Sequence, residues 1–253
     1  MVRRTTGSGR SHAKCIIKVY FMNEHTFVIE TSGVTKEYHE NGAPVLALRG
    51  VDLQVKPGEF TAIVGPSGSG KTTLLNLISG LDTITSGQVW LAGNLLSEMT
   101  GRELSDFRRD QIGFIFQAHN LIPVLSVAEN VEYIMLLQGV AKPERRTRVD
   151  EMLKRLGMSG YSHRMPSQLS GGQQQRAAIA RAMVSNPSLI LADEPTANLD
   201  SATAIELIEM MRELNQSTGM TFIFSTHDQK IMDRARRLLV LVDGQIEKDE
   251  VRS

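Results

Sequence analysis

The feature that most restricts the fold is the run Gly65-Pro66-Ser67-Gly68-Ser69-Gly70-Lys71-Thr72, which follows the apolar segment Thr61 to Val64 and precedes Leu74, Leu75, Leu77 and Ile78. It fits G-x-x-x-x-G-K-[ST], with a short buried strand entering the glycine loop and a helix leaving it. The glycines let backbone N–H groups close around phosphate oxygens. Lys71 is then placed to meet the β and γ phosphates and Thr72 to ligate magnesium. Ser67, Ser69 and Thr73 share the loop and the first helical turn, so they join the same candidate site. On its own the run specifies a nucleotide and no particular machine.

The flanking chain supplies the sheet. Phe27 to Thr31 and Val51 to Val55 read as strands joined through an Asn41-Gly42 turn, a small antiparallel pair. Leu189 to Ala192 and Met220 to Ser225 are further apolar strands, separated by a helix from Ala202 to Leu214 whose Ala204, Leu207, Ile208, Met211 and Leu214 recur at helical spacing. Strands alternating with helices imply a mostly parallel sheet covered on both faces. Between Ala118 and Ala182 strand signals give way to helices, such as Glu144 to Leu156, so a helical lobe is expected inside the α/β core. The expected organisation is a basic, Gly/Ser-rich tail over 1–24, a catalytic domain over 25–248 with the lobe at about 118–182, and a short C-terminal tail over 249–253.

Composition narrows the partners. With 28 Lys plus Arg against 28 Asp plus Glu, no net field draws the chain to nucleic acid or acidic lipid. The single Cys15 excludes an internal disulfide framework and a cysteine zinc cluster, which suits a reducing compartment. The apolar stretch Asn130 to Val140 is broken by Glu132 and Gln138, and none approaches the ~18 residues of a membrane span. Arg3, Arg4, Arg10, Lys14 and Lys18 precede the first acid, Glu24; the tail reads as ordinary flexible terminus or a membrane-touching one, with Met22 an alternative first residue.

Two further motifs carry chemistry. Leu189 to Ala192 delivers Asp193 and Glu194 to a strand end, where Asp193 can hold magnesium through water and Glu194 can accept a proton from the attacking water or orient it. Ser170 and Gln173 satisfy the S-x-x-Q capping box, so a helix starts there and runs to Met183. A cap requires neither Gly171 nor Gly172, and small residues at a helix start expose N–H donors suited to an anion.

Gln168-Leu169-Ser170-Gly171-Gly172-Gln173 resembles the signature of ATP-binding cassette (ABC) ATPases, and the likeness covers about Phe27 to Lys248. It implies a RecA-like phosphate-loop core with a small antiparallel β subdomain and an inserted helical subdomain. It also implies ATP hydrolysis with Mg2+, in a head-to-tail homodimer whose signature Ser170, Gly171, Gly172 and Gln173 meet the γ phosphate held by the other subunit. By the same resemblance Tyr38 would stack on adenine, although an exposed strand tyrosine is the plainer reading. Gln117 would touch magnesium and water, and His227 the γ phosphate. Asn198-Leu199-Asp200 would cross the dimer interface, while Asp200 also reads as a helix N-cap.

Gly113 to Gln117, Asn120 to Pro123 and Val127 to Val131 resemble the ATPases of lipoprotein release, macrolide efflux and cell division. The implied partners are integral membrane permease subunits, with the ATPase on the cytoplasmic face of the inner membrane, driving export, extraction or mechanotransmission. Leu121 to Leu125 is where such a family receives a membrane subunit, or it is lobe core. The rival class, soluble ABC ATPases of DNA or ribosomes, places coiled coils or zinc modules before the signature, or joins two cassettes. Only about 100 residues separate Lys71 from Ser170, without heptads.

Overall fold

Residues 26–40 and 43–252 are described by the computed structural model. The basic tail, Cys15, the Asn41-Gly42 turn and Ser253 lie outside the described residues. The first strands, β1 (Ile29–Glu40) and β2 (Ala43–Val55), pair antiparallel with Ile29 opposite Val55 and Tyr38 opposite Val45. They are far longer than the two short strands expected. Register shifts after Thr31, Val34 and Lys36 break the period-two pattern by which a strand is recognised in sequence. The chain leaves for a second sheet at β3 (Phe60–Val64) and returns with β4 (Ser86–Leu91), which pairs with β1 and turns into β5 (Asn94–Leu95).

The second sheet adds β6 (Ile112–Ile115), β7 (Leu189–Asp193), β8 (Thr221–Ser225), β9 (Arg237–Val242) and β10 (Gln245–Val251), in the order β10-β9-β3-β8-β7-β6. All its pairings are parallel except that of the edge strand β10. Side chains alternate between its faces: Phe222 and Phe224 enter one hydrophobic layer, while Ile223 between them enters the other. This is the α/β architecture expected. The expected C-terminal tail is corrected here, because Asp249 to Val251 pair with Leu239 to Arg237. Lys248, Asp249 and Glu250 hide the strand in sequence, as charges commonly do on sheet edges. Arg237 secures it, bonding Asp249 at 2.6 Å, Glu59 at 2.8 Å and the Gln54 carbonyl of the other sheet.

Helix α1 (Lys71–Ile78) buries Leu74, Leu75, Leu77 and Ile78 in the layer between the two sheets. The polar α2 (Gly101–Gln111) fully buries no side chain, packing only Leu104 and Phe107 partly against the core, and was missed in sequence, although Thr100 and Glu103 form its capping box. The expected helical lobe consists of α3 (Val127–Leu137), α4 (Lys142–Arg155) and α5 (Gly171–Met183), whose Val131, Met135, Val149, Leu153 and Ile179 share one core. Helix α5 also lies directly on β6: a Cβ on Gly113 would sit 2.1 Å from the Ala182 carbonyl oxygen. Helix α6 (Ser201–Thr218) then leads from β7 to β8. No helix among the described residues is long and apolar enough to cross a membrane.

Candidate functional site

The carboxyl ends of β3, β7 and β8 open on a cavity of about 600 Å³. Gly65, Ser67, Gly68, Gly70, Lys71, Thr72 and Thr73 line it from the loop and α1, and Gln117, Glu194 and His227 line it from the opposite side. The loop can be built only with glycine at its ends. Gly65 has φ 152° and a Cβ there would lie 2.0 Å from the Leu241 carbonyl oxygen; Gly70 has φ 102° and would meet the Ala47 carbonyl oxygen at 2.7 Å. Gly70 caps α1 without a side-chain hydrogen bond, so the helix's first N–H groups face the cavity with no internal acceptor. Lys71 Nζ donates to the Gly65 and Pro66 carbonyls at 2.8 and 2.9 Å, folded back over its own loop. Ser69 is buried, with Oγ unpartnered among the described residues.

Across the cavity, Asp193 accepts a hydrogen bond from Thr72 Oγ1 at 3.2 Å and another from Ser225 Oγ. Glu194 has a left-handed φ of 48° and donates its N–H to the Ser225 carbonyl at 3.0 Å. Its Oε1 lies 2.7 Å from His227 Nδ1; the glutamate side chain is 17% exposed and the imidazole 73%. A carboxylate screened from water on one side and touching imidazole on the other is equipped to take a proton from water in the cavity. Asn198 Nδ2 donates to the Gln117 carbonyl at 3.0 Å, which joins the Asn198–Asp200 segment to this wall.

Nucleotide and magnesium fit these residues. A glycine cradle with free helix N–H groups and a lysine suits phosphate oxygens. Thr72 Oγ1 and an Asp193 carboxylate oxygen already within 3.2 Å of each other supply hard oxygen donors of the kind magnesium takes alongside phosphate and water. The described residues hold no cluster of three or more His, Cys, Asp or Glu, so a cation here would draw its other ligands from the nucleotide and solvent.

Other expected residues stand apart from the cavity. Ser170 caps α5, its Oγ accepting from Gln173 N at 3.3 Å while Gln173 Oε1 accepts from Ser170 N at 2.9 Å, so the expected capping box is present. Ser170 and Gly171 are exposed, and neither they nor Gly172 and Gln173 line the cavity. Asp200 is the N-cap of α6, accepting from Ala202 N and Thr203 N. The Thr203 hydroxyl, then the Thr203 N–H, hold its carboxyl below the ordinary range.

Tyr38 is half-buried on β1, outside the cavity lining. Its hydroxyl donates to Asp82 Oδ2 at 2.7 Å, and Lys36 Nζ sits over its ring at 4.7 Å. Burial, then the bond to Asp82, raise its hydroxyl pKa against the opposing influence of the Thr73 hydroxyl. Sequence reasoning missed Ser225 and Ala47. Ser225 left a signal, a polar residue ending an apolar strand two positions before His227; Ala47 left none.

The family model described as "ABC transporter" matches residues 48–197, well over half of the chain. The chain belongs to the ABC transporter family. Among relatives of this ABC ATPase, the lipoprotein-releasing system ATP-binding protein LolD of Anaeromyxobacter dehalogenans is 46% identical over 88% of the chain and 94% of the relative. The macrolide export ATP-binding/permease protein MacB of Hyphomonas neptunium is 46% identical over 88% of the chain, which spans only 34% of that longer protein. The ATP-binding cassette MJ0796 of Methanocaldococcus jannaschii, solved as a dimer in a post-hydrolysis state bound to ADP and Pi, matches with a TM-score of 0.82 at 41% identity, covering 89% of this chain and 99% of that one.

Proposed function

We propose that two copies of this ATPase close head to tail around two Mg-ATP, each cavity completed by Ser170, Gly171 and Gly172 of the other copy. One observation carries the reading: the α5 start is an exposed, glycine-bearing helix end outside the lining of its own cavity, on which the glycine loop, Lys71, Thr72, Gln117, Glu194 and His227 converge. Bound magnesium would offset phosphate charge, held by Thr72 and Asp193 with Gln117 nearby. The glycine loop and Lys71 hold the phosphates, Tyr38 borders the adenine end through Thr73, and Glu194 polarises the attacking water. His227 steadies Glu194 and faces the γ phosphate, and Asn198 to Asp200 cross to the second copy.

The work is done on separate membrane subunits, at the cytoplasmic face of the membrane. Support comes from the relatives' names and from the lobe surface. Leu121 packs into the lobe core, but Val124 is 76% exposed, and Tyr133, Leu136 and Leu137 on α3 are exposed as well. An apolar surface of this kind suits a partner helix. The lipoprotein-releasing and macrolide-export relatives support export or extraction as that work, with mechanotransmission by the same coupling the other form it could take.

The test is complementation. Lys71→Ala and Ser170→Ala proteins are each expected to be nearly inactive, and mixing them should restore ATP hydrolysis, because one site of the mixed dimer is intact. Two pools that stay inactive when mixed would sink the shared site.

A further inference from the structure

Gln175, on the second turn of α5, is a polar side chain that the proposed mechanism leaves unused. It is fully buried. Its Nε2 donates to the Pro195 carbonyl at 2.7 Å, while its Oε1 is buried without a partner among the described residues. An apolar side chain would remove the unmet amide oxygen but would strip the buried Pro195 carbonyl of its donor, so the amide is there for that one bond and not for packing.

The carbonyl it holds follows Glu194, whose φ of 48° is a conformation that residues with side chains seldom adopt and that needs outside support. On the sheet side the support is the Glu194 N–H bond to Ser225 at 3.0 Å. On the lobe side it is Gln175. Proline has no N–H, so the carbonyl is the only backbone polar group Pro195 can offer. The first turn of α5 leans on the chain that follows that turn into α6: a Cβ on Gly172 would lie 2.7 Å from Thr203 Cγ2, and one on Gly171 3.8 Å from Leu199 Cδ2. Ser170 and Gln175 are thus about 7.5 Å apart along one rigid helix.

We infer that Gln175 is a positioning residue that holds the Glu194–Pro195 turn with its carboxylate facing the cavity, and that it links the α5 start, engaged by one subunit's nucleotide, to the general base serving the other nucleotide. The inference rests on the shared-site reading above.

Steady-state ATP hydrolysis by the full chain tests it, comparing wild type with Gln175→Leu, which keeps the volume and removes the donor. Expected are a tenfold or greater fall in kcat per folded site, a KM for ATP within twofold and a Hill coefficient falling from above 1 toward 1, beyond any lowering of the thermal midpoint that loss of the Pro195 bond brings. A merely structural role would leave kcat per folded site unchanged, whatever happens to the midpoint. That result, or a kcat within twofold of wild type, would overturn the positioning role. A wild type that hydrolyses ATP without cooperativity would overturn the linkage. Gln175→Met gives the same readout if leucine does not fold, and failure of both to fold would make the side chain structural and end the inference. Absence of ATP-driven dimers of wild type would refute the parent reading; a cooperative wild type with an unaffected Gln175→Leu refutes only this one.

Discussion

Two helix starts in this chain are suited to phosphate, and they are built in opposite ways. Helix α1 begins at Gly70 in a left-handed conformation with no side-chain cap, inside a cavity that also holds Lys71. Helix α5 begins at Ser170 with a complete capping box on an exposed surface. The first leaves its N–H groups for a ligand and brings the cation to neutralise it. The second satisfies itself and offers only small residues and a dipole end. A start of the first kind is equipped to hold a phosphate within its own chain, whereas one of the second kind, on the reading proposed above, would do so only against another molecule.

The comparison can be broken in several ways. The largest expected effect is that of Glu194→Gln, a loss of turnover of about 10²–10⁴-fold with ATP binding retained. With hydrolysis blocked, the two kinds of helix start should stay locked together, and size-exclusion chromatography with ATP should show a dimer; a lasting monomer would argue against the pairing. Next comes an alanine at each start. Gly70→Ala forces a side chain to φ 102° and to 2.7 Å from the Ala47 carbonyl oxygen, and should lower stability by about 1–3 kcal/mol and abolish nucleotide binding. Gly171→Ala meets only Leu199 Cδ2 at 3.8 Å, so its thermal midpoint should stay near wild type while ATP hydrolysis is lost. Equal destabilisation by the two changes would erase the distinction.

A third contrast uses caps alone. Ser170→Ala and Thr100→Ala each remove a capping-box hydroxyl and should each cost about 1 kcal/mol in chemical denaturation. Only the Ser170 change should also reduce kcat. The smallest effect concerns Asp200. Its carboxyl is held below the ordinary value by the Thr203 hydroxyl and the Thr203 N–H, so its stabilising contribution is complete above about pH 3.9 and is lost as pH falls through the lower folded value. The midpoint difference between wild type and Asp200→Asn should therefore narrow as pH is taken from about 5 to 3.

What was legible in the sequence is what local chemistry dictates. The strand, glycine loop and helix around Gly65 to Thr72 and the box at Ser170 each need only neighbours within a few positions, and the structure has them in place. The α2 box, Thr100 and Glu103, was equally local, but a helix whose contact with the core is confined to the partly buried Leu104 and Phe107 shows little apolar period. Features that depend on distant partners were not legible. Leu121 to Leu125 left two readings open, and the structure divides it. Asn130, buried, accepts from Ile122 N and donates to the Ile122, Leu125 and Ser126 carbonyls; Leu121 packs inward and Val124 is left outside. The Glu194–Pro195 turn is likewise bonded to Ser225 and Gln175, neither a sequence neighbour.

The Arg237 clamp bears on how the last strand finds its place. In β10 Ile246 and Glu250 are half-exposed and the rest of the strand is still more exposed, so no strict inward-outward alternation selects one alignment against β9. A slip of one residue would turn every side chain to the opposite face. Arg237 sits opposite Val251 in the pairing and reaches Asp249 with both Nε and Nη2, at 2.8 and 2.6 Å. Asp249 above all, with Glu59, strengthens the guanidinium's hold on its proton, although burial opposes it. Asp249 thus does by charge what a hydrophobic stripe does elsewhere: it registers the strand, so that Asp249→Ala should favour misaligned edges before it lowers the stability of correctly paired molecules.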